Sequence, residues 1–309
     1  MSEYLQSRKK MDKEIIALWH RKLGFRSAGS DFTPEIRLER RFTAPDFEGE
    51  LYLQKTEPDV WQRMLVMLPL NRPAKCPGVL MPFYYPERIA GCEFDDACTL
   101  YPPEKQLIAW GRMLVKQGCI VYAPETCHLN LVHDGPRDDF SRWGRMAQEN
   151  ARRHPAWTGL GKMIHDARLA LDAMEQDARV DAERLAAAGH SLGGKLAFYT
   201  GCLDERIQVM ICSDFGIHWP QSNWQDPWYW GDKLAQLQAE GMEQKDLLAA
   251  AAKPMFLIAG QFDDASSRSA LQDDDGFFHH GTGHNPTPES MDAAWKFLAE
   301  HNVQKSCFF

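Results

Sequence analysis

Leu185-Ala186-Ala187-Ala188-Gly189-His190-Ser191-Leu192-Gly193-Gly194-Lys195 joins a short apolar run to a glycine-rich turn around one serine and then, through Thr200, to a segment of helical character. A bare Gly-x-Ser-x-Gly arises by chance in about one chain of this length in ten, so the pattern gains meaning from its flanks. A sharp strand-to-helix turn leaves a serine oxygen exposed at a helix N-terminus, and small neighbours let the backbone take the strained path this requires. Strand, turn and helix are all predicted here, which makes Ser191 a candidate nucleophile.

On both sides of this turn the chain alternates short apolar runs with longer helical patterns. The runs Gly78–Met81, Cys119–Ala123, Ile207–Cys212 and Pro254–Ala259 are continuous, as parallel strands covered on both faces must be. Met163, Ala167, Ala170, Leu171 and Met174 form one face of a helix. Thr287 can cap the last helix, Pro288 suits its first turn, and Met291, Ala294, Trp295 and Leu298 follow helical spacing. Between Ile36 and about Leu70 the alternation of apolar and polar residues predicts antiparallel edge strands. Residues 3–24 predict an amphipathic helix, with Ile15, Leu18, Trp19 and Leu23 at helical spacing and Gly24 as its stop. The whole predicts an α/β fold with a doubly wound, mostly parallel sheet: an N-terminal helical arm over 1–35 and one domain over 36–309. An excursion above the sheet over 215–245 begins with Phe215, Trp219, Trp224, Trp228, Tyr229 and Trp230.

Composition narrows the function. With 309 residues, 44% hydrophobic and 25% charged, the chain is long enough for a substantial core. Its 43 acidic and 35 basic residues leave a charge of −8, which gives no attraction to nucleic acid or anionic lipid. Apolar runs such as Leu247–Ala252 are too short to span a bilayer. The run Ile15–Trp19 after Arg8, Lys9 and Lys10 is too short for a secretory signal. The expectation is a cytoplasmic protein with no membrane partner. Eight dispersed cysteines with no CxxC pair are expected to be free thiols. Self-association into a homo-oligomer stays open.

A serine hydroxyl needs a base and an orienting acid, and in this fold they follow the serine in the order acid, then histidine. Gly260-Gln261-Phe262-Asp263-Asp264 ends an apolar strand, and Gly281-Thr282-Gly283-His284-Asn285 precedes the last helix. The expected triad is therefore Ser191, His284 and Asp263, with Asp264 and Asp214, in Cys212-Ser213-Asp214-Phe215, as alternative acids. His279 and His280 beside His284 lack a metal-ligand pattern, so no metal is expected. The run Asp273–Asp275 reads as a solvated face, Trp157–Lys162 as a helix entry, and Glu125 has no assigned role.

The serine turn, the Gly260–Asp263 turn and the Gly283-His284 loop resemble those of the α/β-hydrolases, in the branch of dienelactone hydrolases and acetyl xylan esterases. The resemblance covers roughly residues 60–305 and includes Asp204-Glu205-Arg206-Ile207. Dienelactone hydrolases carry a cysteine nucleophile where this chain has Ser191, which points to ester hydrolysis instead. The resemblance implies acyl transfer without a cofactor on a small or medium carboxylic ester. It also implies an oxyanion hole built from the Leu192 amide and a second amide after Gly78–Met81. That loop reads Pro82-Phe83-Tyr84-Tyr85; Pro82 has no N–H, which leaves Phe83 and Tyr84. Ser191-Leu192-Gly193-Gly194-Lys195 is similar to the S-R-x-G-K pattern of glucuronoyl esterases without its arginine, and puts Lys195 forward as a substrate contact. Trp219, Trp224 and Trp228 are candidate walls of an acyl or sugar pocket. Two other readings compete: a peptidase of the prolyl-oligopeptidase type, which this chain is too short to match with its propeller, and a non-catalytic binding protein on a hydrolase fold.

Overall fold

The computed structural model describes residues 10–24, 33–137 and 139–301. Nine strands form one sheet: β1 (Ile36–Thr43), β2 (Phe47–Glu57), β3 (Val60–Pro69), β4 (Cys76–Leu80), β5 (Ile120–Pro124), β6 (Val180–His190), β7 (Val209–Ser213), β8 (Met255–Ala259) and β9 (Gly276–His279). Their spatial order is β1-β2-β3-β5-β4-β6-β7-β8-β9. The first three strands and the β3–β5 pair are antiparallel, and every pair from β5 to β9 is parallel. The expected antiparallel edge and parallel centre are both present. β9 is the strand the sequence did not announce: it is four residues long and only half-buried, too short and too wet for an apolar run.

Successive residues of a strand point to opposite faces, and the buried residues divide accordingly. Leu80, Tyr122, Leu185, Ala187, Met210, Cys212 and Leu257 join a cluster on one face, whereas Val79, Val121, Ala186, Ala188, Val209, Ile211 and Ile258 join one on the other. The first face is covered by helices 159–176 and 192–203, the second by 110–116 and 288–300. The last helix has the expected Thr287 cap, completed by reciprocal hydrogen bonds with Ser290.

The part of the expected arm that is described is the helix Lys13–Leu23, capped by Asp12; residues 3–9 lie outside the described segments. It buries Ile16, Trp19 and Leu23. The Trp19 ring lies 5.9 Å from Tyr199 on the helix after Ser191 and 5.9 Å from Trp230 in the excursion. The arm is thus wedged between two elements that border the carboxyl ends of the central strands. From β4 the chain crosses to β5 on one side and then from β5 back past β4 to β6 on the other, and such a switch point opens a crevice at the strands' carboxyl ends.

Candidate active site

The serine turn stands in that crevice. β6 ends at His190, and Ser191 takes φ 57° and ψ −118° before the helix Leu192–Leu203 begins. A non-glycine residue in this region is strained, and its neighbours are small for a measurable reason. A Cβ on Gly189 would meet the Gly193 carbonyl carbon at 2.2 Å, and one on Gly193 would meet the Pro82 oxygen at 2.8 Å. The Ser191 amide donates to the Ser213 carbonyl at 2.8 Å, tying the turn to the end of β7.

His284 approaches from the loop before the last helix. Its ring centroid is 4.4 Å from that of His190 and 4.8 Å from that of Phe262. Its Nδ1–H donates to Asp214 Oδ2 at 2.6 Å, so Nε2 is the nitrogen left for a serine proton. The expected partner, Asp263, is not the one behind the imidazole. Its carboxylate is turned inward, where it accepts from the amides of Phe215 (2.8 Å), Gly216 (2.9 Å) and Ile217 (2.7 Å). Asp264 caps the following turn by accepting from the Ser266 amide. The alternative position, Asp214, has the geometry of the orienting acid.

Asp214 is fully buried, with φ 45°. Besides His284 it accepts from the amides of Gly260, Gln261, Phe262 and Asp263, at 2.8–3.1 Å. Burial pushes its pKa up, but the hydrogen bonds from His284 and from the Asp263 and Phe262 amides outweigh it and hold the carboxyl below its ordinary value. Asp263 goes the other way: burial dominates the amides of Ile217 and Gly216 and raises its pKa. His190 donates to or accepts from Ser213 Oγ at 3.1 Å. Burial, with the nearby His284 adding to it, pushes its pKa down to about 3, so a neutral ring lies beside His284.

On the other wall, the Phe83 amide donates to the Pro124 carbonyl at 3.2 Å, which removes it as the expected oxyanion donor. The Tyr84 hydroxyl is in hydrogen-bonding contact with the Ser191 side chain. The Tyr84 ring makes edge contacts with Phe83, Trp143 and His128, and His128 stacks on Trp143 at 4.1 Å. His128 and Trp143 come from distant, weakly patterned segments, and nothing in the sequence marked them. Glu125, left without a role by the sequence, is buried and bound to Arg63.

Three of the expected substrate contacts are inside the protein. Lys195 is 2% exposed and donates to the Phe215 carbonyl at 2.6 Å and to Ser222 Oγ at 2.7 Å, with Trp224 4.4 Å away beneath its ammonium. Burial lowers its pKa to about 7 against the raising charges of Asp263, Asp214 and Asp226. It bolts the excursion to the serine helix. Trp219 and Trp224 are buried too, their indole N–H groups donating to the Met242 and Gly216 carbonyls. Trp228 alone of the three stays half-buried, 6.0 Å from Trp143.

Among the described residues no group of histidine, cysteine and acidic side chains could hold a metal ion, and no helix is long and apolar enough to cross a membrane. The seven cysteines among them are all buried.

No protein-family model matches the chain. A segment of 60 residues is 40% identical to YtaP of Bacillus subtilis (strain 168), described as a hydrolase; the match spans 19% of this chain and 20% of that protein. Among solved structures, a glucuronoyl esterase from Solibacter usitatus superposes with a TM-score of 0.66 at 13% identity, covering 98% of this chain and 93% of that one. A glucuronoyl esterase from Teredinibacter turnerae T7901 gives 0.67 at 16% identity, covering 94% and 83%. Acetyl xylan esterase 1 from Thermoanaerobacterium sp. JW/SL YS485 gives 0.61 at 14%, covering 94% of each chain. The fold of this chain is that of the α/β-hydrolases, in the form that these glucuronoyl and acetyl xylan esterases share.

Proposed function

We propose that the protein is a serine esterase that cleaves a small or medium carboxylic ester through an acyl-enzyme, with Ser191 as nucleophile, His284 as base and Asp214 as orienting acid. The observation that carries this reading is the 2.6 Å bond from His284 Nδ1 to a buried Asp214 at the mouth of the strained Ser191 turn. Ser191 Oγ attacks the ester carbonyl as His284 Nε2 takes its proton. The imidazolium so formed is stabilised by Asp214 and returns the proton to the departing alcohol. Water then repeats the sequence on the acyl-enzyme. The Leu192 amide, first in the helix after the nucleophile, is placed to donate to the developing oxyanion. This chemistry requires no cofactor. Trp143 meets the Tyr84 ring edge-on and lies 6.0 Å from Trp228, which makes these rings candidates to contact the substrate, and the names of the structural neighbours put esters of sugars first among substrates to try.

Intact-mass labelling with a fluorophosphonate tests the nucleophile without knowledge of the substrate. One adduct on the native protein and none on Ser191→Ala is the expected result. Absence of an adduct from the folded native protein would overturn the reading in favour of a non-catalytic hydrolase fold.

A further inference from the structure

We infer that the second oxyanion donor is the phenolic hydroxyl of Tyr84, an assignment that rests on the esterase reading above. Of the loop's expected donors, Pro82 has no N–H and the Phe83 amide is spent on the Pro124 carbonyl, which leaves residue 84 to donate through its amide or through its hydroxyl, and the two are separated by the Tyr84→Phe test below. The same segment is pressed against the nucleophile turn, since a Cβ on Gly193 would meet the Pro82 oxygen at 2.8 Å and the Phe83 ring at 3.0 Å. That approach delivers the Tyr84 side chain to Ser191, where its hydroxyl makes hydrogen-bonding contact.

Three rings fix the direction of the phenol. Phe83, Trp143 and His128 meet it edge-on with centroids at 4.9, 5.6 and 6.2 Å, and the Tyr84 carbonyl accepts from the Thr126 amide at 3.4 Å. A donor held this way needs no reorganisation as charge develops, which is where an oxyanion hole draws its effect. Burial raises the phenol's pKa, against the lowering influence of Ser191 and Arg88, so the proton stays on the oxygen.

In the resting enzyme the hydroxyl faces Ser191. When Oγ bonds to the carbonyl carbon, the carbonyl π pair moves to oxygen, and that oxygen lies one bond from the centre Oγ has joined. The Tyr84 hydroxyl then turns its hydrogen bond to the oxyanion without transferring its proton. The oxyanion pair re-forms the carbonyl as the alcohol leaves with the proton from His284. Tyr84 is thus a catalytic residue of the proposed reaction, acting opposite the Leu192 amide.

Tyr84→Phe keeps the ring and removes the donor. With an activated ester as substrate, kcat is expected to fall about 10²- to 10³-fold, as for loss of one oxyanion donor. KM should stay nearly constant, and affinity for a trifluoromethyl ketone analogue of the tetrahedral intermediate should fall in step with kcat. Native kcat with native analogue affinity in Tyr84→Phe overturns the assignment. If the variant does not fold, 3-fluorotyrosine at position 84 retains the shape with a more acidic hydroxyl; a kcat and pH profile unchanged from the native protein would overturn it equally. Failure of the esterase reading itself is separately visible, because the native protein would then take no fluorophosphonate adduct at Ser191.

Discussion

Asp214 and Asp263 hold each other's loops: the Asp214 carboxylate gathers the amides of residues 260–263, and the Asp263 carboxylate gathers those of 215–217. The two carboxylates are alike in burial and differ in what else they touch, because only Asp214 has an imidazole against it. Their substitutions should therefore separate chemistry from stability. Asp214→Asn is expected to lower kcat by about 10⁴-fold, the loss that follows from the wrong imidazole tautomer. Asp263→Asn should cost about 1.5–3 kcal/mol for each charge-assisted bond it weakens, seen as a lower denaturation midpoint, with a smaller loss of kcat. Equal effects of the two variants on ester turnover would contradict the assignment of the acid.

Gly189 and Gly193 separate two kinds of constraint within one turn. Gly189→Ala drives a methyl into the Gly193 backbone and is expected to destabilise at or above the top of the roughly 1–3 kcal/mol range for overpacking. Gly193→Ala instead pushes on Pro82 and Phe83, so it should displace Tyr84 and reduce kcat more than it reduces the melting temperature. Measuring both quantities on both variants checks the pair, and a reversed order of effects would count against it.

Lys195 gives a stability signature above neutral pH. Its folded pKa, about 7, lies below the ordinary lysine value of 10.5, so between these values the unfolded chain binds more protons than the folded one. Stability from this group therefore rises as pH rises from about 7 toward 10.5. Lys195→Met should flatten that rise in urea titrations and make the 215–230 segment easier to cut in limited proteolysis. A variant with the native slope would show that another group is responsible.

Glu57 acts at the acid end. It is buried against Lys162 Nζ at 2.9 Å, Arg153 and His154. Burial pushes its pKa up, but His154 and Lys162 outweigh this and bring it from 4.5 down to about 2. Its contribution is fully present above about pH 4.5 and is lost as pH falls toward 2. Glu57→Gln is expected to be less stable at pH 7 and to lose less on acidification through that window, as followed by circular dichroism.

The legible parts of this molecule are those where burial dictates composition. The core strands β4 to β8 are covered on both faces and had to be apolar, and Ser191 had to be flanked by glycines because the turn leaves no room for a Cβ. The carboxylate that meets His284 was less legible because Asp214 and Asp263 both follow adjacent parallel strands. Which of them faces His284 depends on backbone direction after the strand, and the positive φ of Asp214 leaves no mark in composition. The excursion was ambiguous for a related reason: pocket wall and core both call for aromatic rings. Lys195, whose bonds draw residues 215–222 inward, settles Trp219 and Trp224 as core.

Trp19 closes its contacts with Tyr199 and Trp230 across most of the length of the chain. A helix made some two hundred residues before its partners must therefore wait, with an indole and two aliphatic side chains uncovered, until the residues that receive it have been made. Such long-range closure slows folding and prolongs exposure of apolar surface. The nascent protein would be most vulnerable to aggregation, and most in need of a chaperone, before residue 230 emerges.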